Sequence, residues 1–389
     1  DIPEPGLKTL KAAVPPACFQ PALSTSLLYL LRDIGYCSLL IFFAFQIGTI
    51  PWSWVRYLAW MSYGFCQGCV GVGLWILAHE CGHGAFSLYP RVNDLIGFSL
   101  HSALLVPYFS WKTTHARHHR YTGHMGKDTA FVPFTEEEYE VSFLSRTMIQ
   151  SAEDAPVVAL FELLLHQVFG WPMYLFFNVS AGVDSLPIQD TRYSRDKSHF
   201  NPFAALFTSS QRFYVLLSDL GLAATVCILA GLCTKFGLQQ VLLLYFLPYL
   251  WVNHWIVTSD SSACLVSITY LHHTQPSLPH YGDESWTFTK GSLSTMDRTT
   301  GFLGRHLFHD IIDFHVVHHL FPKIPFYRAE EATRAIQPLL GPYYNEQKAT
   351  SFTWSLYSTF RLCKFVSPEL HATSGDALKV FKWNTGKII

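Results

Sequence analysis

His79-Glu80-Cys81-Gly82-His83 closes an apolar run that begins near Tyr57, so a stretch suited to lipid delivers two histidines, four residues apart, at its polar edge. About 20 apolar helical residues cross a hydrocarbon core, where only intrachain hydrogen bonds can satisfy the backbone. Four runs approach that length, at about 34–50, 57–78, 213–233 and 238–258. Pro51 and Trp52 join the first two, and Thr234 to Gly237 join the last two, which predicts a pair of helical hairpins. Composition agrees: 50% of the 389 residues are hydrophobic and 14% are charged, against roughly 25% charged in an ordinary soluble domain. A formal net charge of -1 excludes the basic field that nucleic-acid binding requires.

The hairpin turns carry few positive residues, whereas Arg117, Arg120, Lys127, Arg146, Arg192, Arg195 and Lys197 all lie between the hairpins. Positive residues stay on the cytosolic side, so 79–212, 259–389 and both termini are expected there. The predicted fold is a single all-α integral membrane domain over 1–389, with four transmembrane helices and a cytosolic helical cap. Leu95 to Tyr108 and Val157 to Ala181 are apolar but interrupted by Ser, His, Pro or Gly, and read as interfacial or re-entrant. Nine scattered cysteines do not form a disulfide scaffold. Cys66-Gln67-Gly68-Cys69 lacks the second pair of a zinc ribbon, and reads as small residues packing helices. No basic and apolar signal peptide precedes Pro15-Pro16.

Histidine is the informative residue. Besides His79 and His83, two HxxHH words occur: His115-Ala116-Arg117-His118-His119 and His315-Val316-Val317-His318-His319. Residues at i, i+3 and i+4 share one helical face, so each cluster can aim two or three imidazoles at one point. With 19 histidines in 389 residues, one random HxxHH is expected about 0.05 times, and two lie well beyond chance. Eight imidazoles exceed the four ligands of a tetrahedral zinc, so two metal ions fit better. His273, with Thr269 one turn earlier on the same face, is a ninth candidate ligand, and the Thr269 hydroxyl could hold a water on the second metal. Glu80, Asp128 and Asp313 could accept the other ring N–H of ligating histidines, although solvated surface carboxylates are an equal alternative. The remaining histidines lack companions at ligand spacing and default to structural roles.

These residues resemble the membrane-bound fatty acid desaturases, whose hallmark is HxxxH, HxxHH and HxxHH beside two transmembrane hairpins. Leu105-Val106-Pro107-Tyr108, Thr122-Gly123-His124-Met125, Pro276 to Tyr281 and Leu340 to Tyr344 resemble the delta-12 (oleate) branch, especially fungal members. The resemblance implies two non-haem iron ions and O₂-dependent removal of two hydrogens from adjacent methylenes, most simply oleoyl to linoleoyl. An unactivated C–H bond offers no acidic proton, so a redox metal is required; imidazole alone does not choose iron, but the resemblance does. It further implies a phospholipid-bound acyl substrate, the endoplasmic reticulum membrane, and electrons from a separate cytochrome b5 with its NADH-dependent reductase, since no HPGG haem word occurs here. A homo- or hetero-oligomer is compatible with the sequence.

Two features depart from the branch. Leu271-His272-His273-Thr274 stands where relatives usually carry Gln before the second histidine, adding a competing ligand, and Ser259 to Ser262 form a polar break ahead of His273. Omega-3 desaturases, hydroxylases, acetylenases and conjugases carry the same boxes and remain alternatives. His79-Glu80-Cys81-Gly82-His83 also satisfies HExxH, the word of an intramembrane zinc metalloprotease with Glu80 as base. That reading leaves six histidines unexplained. A metal transporter would place ligands inside the spans, where only His254 lies.

Overall fold

Ser53–His83 forms one unbroken helix of 31 residues in the computed structural model, which describes residues 4–144, 169–187, 196–256, 267–371 and 378–385. At 1.5 Å per residue it measures about 46 Å, so it can cross a core of about 30 Å with roughly ten residues to spare. The expected 57–78 span is therefore the middle of a longer helix, and the first histidine box occupies the surplus at its C-terminal end. Gly84, at φ 73°, takes the left-handed conformation that stops the helix there.

Among the described residues two further helical stretches, Leu23–Thr49 and Ser209–Phe236, are long and apolar enough to cross a membrane. They turn Leu31, Phe42 and Phe43, and Phe213, Leu220 and Ile228, outward, the inverse of a water-soluble helix. The first helix starts at Leu23, well before the expected Ile34. Arg32 and Asp33 break its apolar pattern, yet Asp33 is 1% exposed. Its Oδ2 lies 2.8 Å from His309 Nε2, and Arg32 Nε donates to its Oδ1 at 2.9 Å. A carboxylate at that depth persists because it is paired, and here the pair ties the first helix to the turn before the third box.

The fourth run is helical from Leu238, as Leu238–Val241, a π-helical Leu242–Phe246, and Leu247–Ile256; residues 257–258 of the expected span lie outside the described residues. The preceding helix extends to Phe236, which leaves Gly237 as the whole connection. Glycines on the Ser53–His83 helix receive it: a Cβ at Gly64 would meet Leu247 at 2.7 Å, at Gly68 Trp251 Cβ at 2.3 Å, and at Gly71 Val252 at 2.7 Å. Spacings of four and three keep these glycines on one face, where small residues let two helices approach closely in lipid. Gly68 thus packs helices, as the reading of the CxxC word expected, with Cys69 buried beside it and Cys66 exposed.

Leu95 to Tyr108 is not one interrupted segment. It covers most of a helix, Pro90–Ala103, a bend with Leu105 at φ 54°, and the start of the Tyr108–Tyr121 helix that carries the second box. Of Val157 to Ala181, residues 157–168 lie outside the described residues and 169–177 are helical.

The all-α expectation requires correction. Strands β1 (His280–Tyr281), β4 (Val366–His371) and β5 (Leu378–Trp383) form an antiparallel sheet in the order β1-β5-β4, while β2 (Asp297–Arg298) pairs in parallel with β3 (Glu346–Gln347). β1, β2 and β3 hold two residues each, too few for a period-2 pattern to stand out, and their partners are distant in sequence, whereas β4 and β5, of six residues each, pair with one another.

The glycine seam gives a stability test. Gly68→Leu should lower the midpoint of thermal unfolding in detergent by an amount equivalent to about 1–3 kcal/mol of overpacking. Gly231→Leu, where a Cβ meets nothing within 4 Å, should leave the midpoint unchanged.

Candidate metal centre

Four helices bring the candidate ligands together. His79 and His83 occupy the end of the Ser53–His83 helix, and His115, His118 and His119 lie on the Tyr108–Tyr121 helix. His273 ends the helix Ser267–His273, and His315, His318 and His319 sit on the six-residue helix His315–Leu320. Their nitrogens form two groups, each closing within 4.8 Å: His79, His83, His115, His119 and His318 in one, and His118, His273 and His319 in the other. His315 adjoins the second group, its Nε2 3.1 Å from that of His273. The i, i+3, i+4 spacing splits each HxxHH between the two groups, so each of these two helices serves both.

The donor set fits metal ions. Nε2 atoms of His79 and His83 are 3.2 Å apart, those of His83 and His115 3.1 Å, and those of His115 and His119 3.1 Å. Two ligands bound at about 2.0–2.1 Å to one ion lie roughly that far from each other. His118 Nε2 and His318 Nε2 are buried without a hydrogen-bond partner. Burial holds the imidazoles of His115, His119, His273, His315, His318 and His319 well below the usual histidine range, which keeps them neutral and their lone pairs available.

The carboxylates behave differently from one another. Asp128 Oδ1 lies 2.7 Å from His118 Nδ1 while also accepting the Ala130 N–H at 2.9 Å, and Oδ2 accepts the Gly123 N–H. It can thus fix the tautomer that leaves His118 Nε2 facing the second group. Glu80 Oε2 accepts the Phe326 N–H at 3.1 Å and Oε1 stays 3.5 Å from His79 Nδ1, so this carboxylate holds a neighbouring helix and is turned away from the place a hydrolytic base would need. Asp313 turns to Arg305, 3.5 Å away, instead of to a box histidine among its described contacts. Thr122, to which the sequence reading gave no role at the site, donates to His118 O at 2.7 Å and lies 3.1 Å from His319 Nδ1.

His272 does not compete with His273. Its Nδ1 faces the Ile268 carbonyl and its Nε2 the Ile312 carbonyl at 3.0 Å, so the ring's N–H donates to backbone and both nitrogens point at carbonyls. The Ser259 to Ser262 break lies outside the described residues. Rings brace the ligands: Phe131 stacks on His273 with centroids 4.4 Å apart, and Trp111 on His115 at 4.4 Å. His254, in the fourth helical run, contacts Trp251 and Trp255 and joins neither group.

Beside both groups lies an apolar cavity walled by Trp75, Ile76, Phe131, Trp171, Ile268 and Thr269, with His79, His115, His118, His273, His315 and His319 exposed at its floor. Such a wall can hold an apolar chain against the histidines while excluding water.

A family model described as fatty acid desaturase matches residues 52–351. An oleate hydroxylase of Claviceps purpurea is 39% identical over 402 residues, covering 99% of this chain and 82% of its own. A Delta(12) fatty acid desaturase of Mortierella isabellina is 39% identical, covering 94% of this chain and 89% of its own. An omega-6 fatty acid desaturase, endoplasmic reticulum isozyme 1, of Glycine max is 40% identical, covering 97% and 89%.

Removing the His118 partner provides a direct test. Asp128→Ala should weaken divalent-metal binding at the group containing His118 on the order of 10–100-fold, read by metal titration of the purified protein; equal affinity in both forms would show that Asp128 does not serve the ligand.

Proposed function

This chain belongs to the fatty acid desaturase family, and from that premise we propose that it is a delta-12 acyl-lipid desaturase converting oleoyl to linoleoyl chains. It is an oxidoreductase of lipid metabolism. The observation that carries the delta-12 reading is the similarity, over most of the chain, to relatives named Delta(12) fatty acid desaturase, and the two imidazole groups beside one apolar cavity fit it.

In this reading His79, His83, His115, His119 and His318 hold one iron ion, and His118, His273, His315 and His319 hold the other, with the Thr269 hydroxyl beside the second. When bound, the pair of ions supplies the O₂-dependent oxidation of an unactivated methylene pair, with two electrons delivered from outside. The chain's own contribution is positioning. Trp75, Trp111, Phe131 and Trp171 confine the acyl chain, exclude water and present two adjacent carbons to the cluster, while Asp128 and Thr122 keep the rings of His118 and His319 in register. Fixing geometry in this way removes an entropic part of the barrier that no acid or base here could lower.

The membrane placement follows from the same frame. Four spans would return the chain twice to one side, so that all the boxes and both termini face the cytosol at the interface, where a polar centre avoids hydrocarbon. The endoplasmic reticulum, a phospholipid-bound substrate and electrons from cytochrome b5 with its NADH-dependent reductase complete the proposal. Two relatives named as hydroxylases, from Claviceps purpurea and Ricinus communis, favour oleate hydroxylation as the second reading. A zinc protease is disfavoured by the orientation of Glu80 and by the engagement of both HxxHH words in the centre.

Expression in a yeast that lacks polyunsaturated fatty acids separates these readings. Linoleate should appear in the lipid fraction; hydroxylated, omega-3 or unchanged profiles would overturn the delta-12 assignment. His118→Ala and His319→Ala should each abolish the product while the protein stays in the membrane fraction.

A further inference from the structure

Asp297 and Arg298, the two residues of β2, are 0% and 1% exposed. Charged groups at such depth need partners in fixed positions. The Asp297 partners lie on one side: its Oδ1 accepts the Val316 N–H at 2.8 Å, and its Oδ2 accepts the Tyr344 hydroxyl at 2.5 Å. Val316 follows the first ligand of the third box, so this carboxylate satisfies a donor that the start of a short helix leaves free and fixes where that helix begins. The Arg298 partners lie on the other side. Its Nε donates to the Leu271 carbonyl at 2.9 Å, and its guanidinium donates to Gln275 Oε1 at 2.8 Å and to the Gln347 side chain.

Backbone bonds run in the same two directions. The Met296 N–H donates to the His272 carbonyl at 3.0 Å, and the Arg298 N–H donates to the Ile312 carbonyl at 3.0 Å. Residues 296–298 are thus stitched to the helix that ends in His273 and to the segment that begins the third box. These two elements supply His273, His315 and His319, whereas four of the five histidines in the other group come from the first two boxes.

We propose that Asp297 and Arg298 are positioning residues that set the separation of the His273 helix from the third-box helix, and so build the second metal site selectively. The proposal rests on the two-iron reading above. Asp297 pins the helix carrying His315 and His319 at its N-terminus, and Arg298 pins the carbonyl two residues before His273. Because the guanidinium reaches three acceptors through a planar fork, a lysine that preserves the charge cannot preserve the geometry.

The full-length chain, purified in detergent and titrated anaerobically with Fe(II), provides the test, with iron per chain and near-infrared circular dichroism as readouts beside activity. Arg298→Lys should weaken one iron on the order of 10–100-fold and leave the other at wild-type affinity. Equal weakening of both irons, or two irons of wild-type affinity with an unchanged spectrum, would overturn the proposal. Should Arg298→Lys fail to fold, Tyr344→Phe removes one hydroxyl from a half-buried ring and should produce the same selective shift at smaller size; wild-type titration of that variant would overturn the proposal as well. A wild-type chain that binds fewer than two irons would instead overturn the two-iron reading itself, whatever the variants do.

Discussion

Everything in this protein is arranged around imidazole lone pairs that are buried together and must be given something to bind. Two ring nitrogens in the cluster, His118 Nε2 and His318 Nε2, are enclosed without a hydrogen-bond partner. A buried polar atom left unsatisfied costs about 1–3 kcal/mol, so the two together are a large share of the net stability of an ordinary domain, about 5–15 kcal/mol. No fold keeps such an arrangement for packing alone. Ligation resolves it, since neutral imidazole is a poor neighbour for itself and a good one for a transition metal.

That requirement explains why the first box lies in the same helix as a membrane span. A separate loop could place His79 and His83 at the interface, but it would add freedom at the point where error is least tolerable. A continuous helix converts the depth of the span into the depth of the ligands, and the close seam of Gly64, Gly68 and Gly71 against Leu247, Trp251 and Val252 fixes its neighbour at the same time. The Asp33–His309 pair does similar work from the first helix, tying a carboxylate buried among apolar residues to the segment that leads into the third box.

The boxes were legible in the sequence because their information is local: HxxxH and HxxHH encode one helical face without reference to anything distant. Helix lengths were partly legible for the same reason, and their ends failed where a charged pair had a hidden partner, as at Arg32-Asp33. His273 was singled out over His272 by its place one helical turn after Thr269, and a further physical reason becomes visible in three dimensions, where the nitrogens of His272 face the Ile268 and Ile312 carbonyls. Asp297 and Arg298 gave no signal, because their side-chain contacts lie 19 to 49 residues away along the chain, and Thr122 stood in a branch word without a role of its own because His319 lies 197 residues further on. The small sheet was invisible for a related reason: β1 joins β5 across about a hundred residues, and β1 alone is too short to announce itself.

Relatives of nearly equal identity carry both desaturase and hydroxylase names, which constrains where the choice between products can reside. Both outcomes begin by removing hydrogen from a methylene, so the ligand set that performs this step is common ground. What differs must be the fate of the carbon after that step, and this depends on how the chain is held against the cluster. One methylene occupies about 1.3 Å, a displacement that a single methyl group in a wall can impose and that is worth only about 1–3 kcal/mol of discrimination. The side chains able to impose it are those sharing the cavity with both groups, among them Trp75, Ile76, Phe131, Trp171 and Ile268, with Tyr174 and Thr269 bringing hydroxyls into the same wall. On the proposed reading, product choice belongs to this wall, and the histidines set the chemistry from which the choice is made.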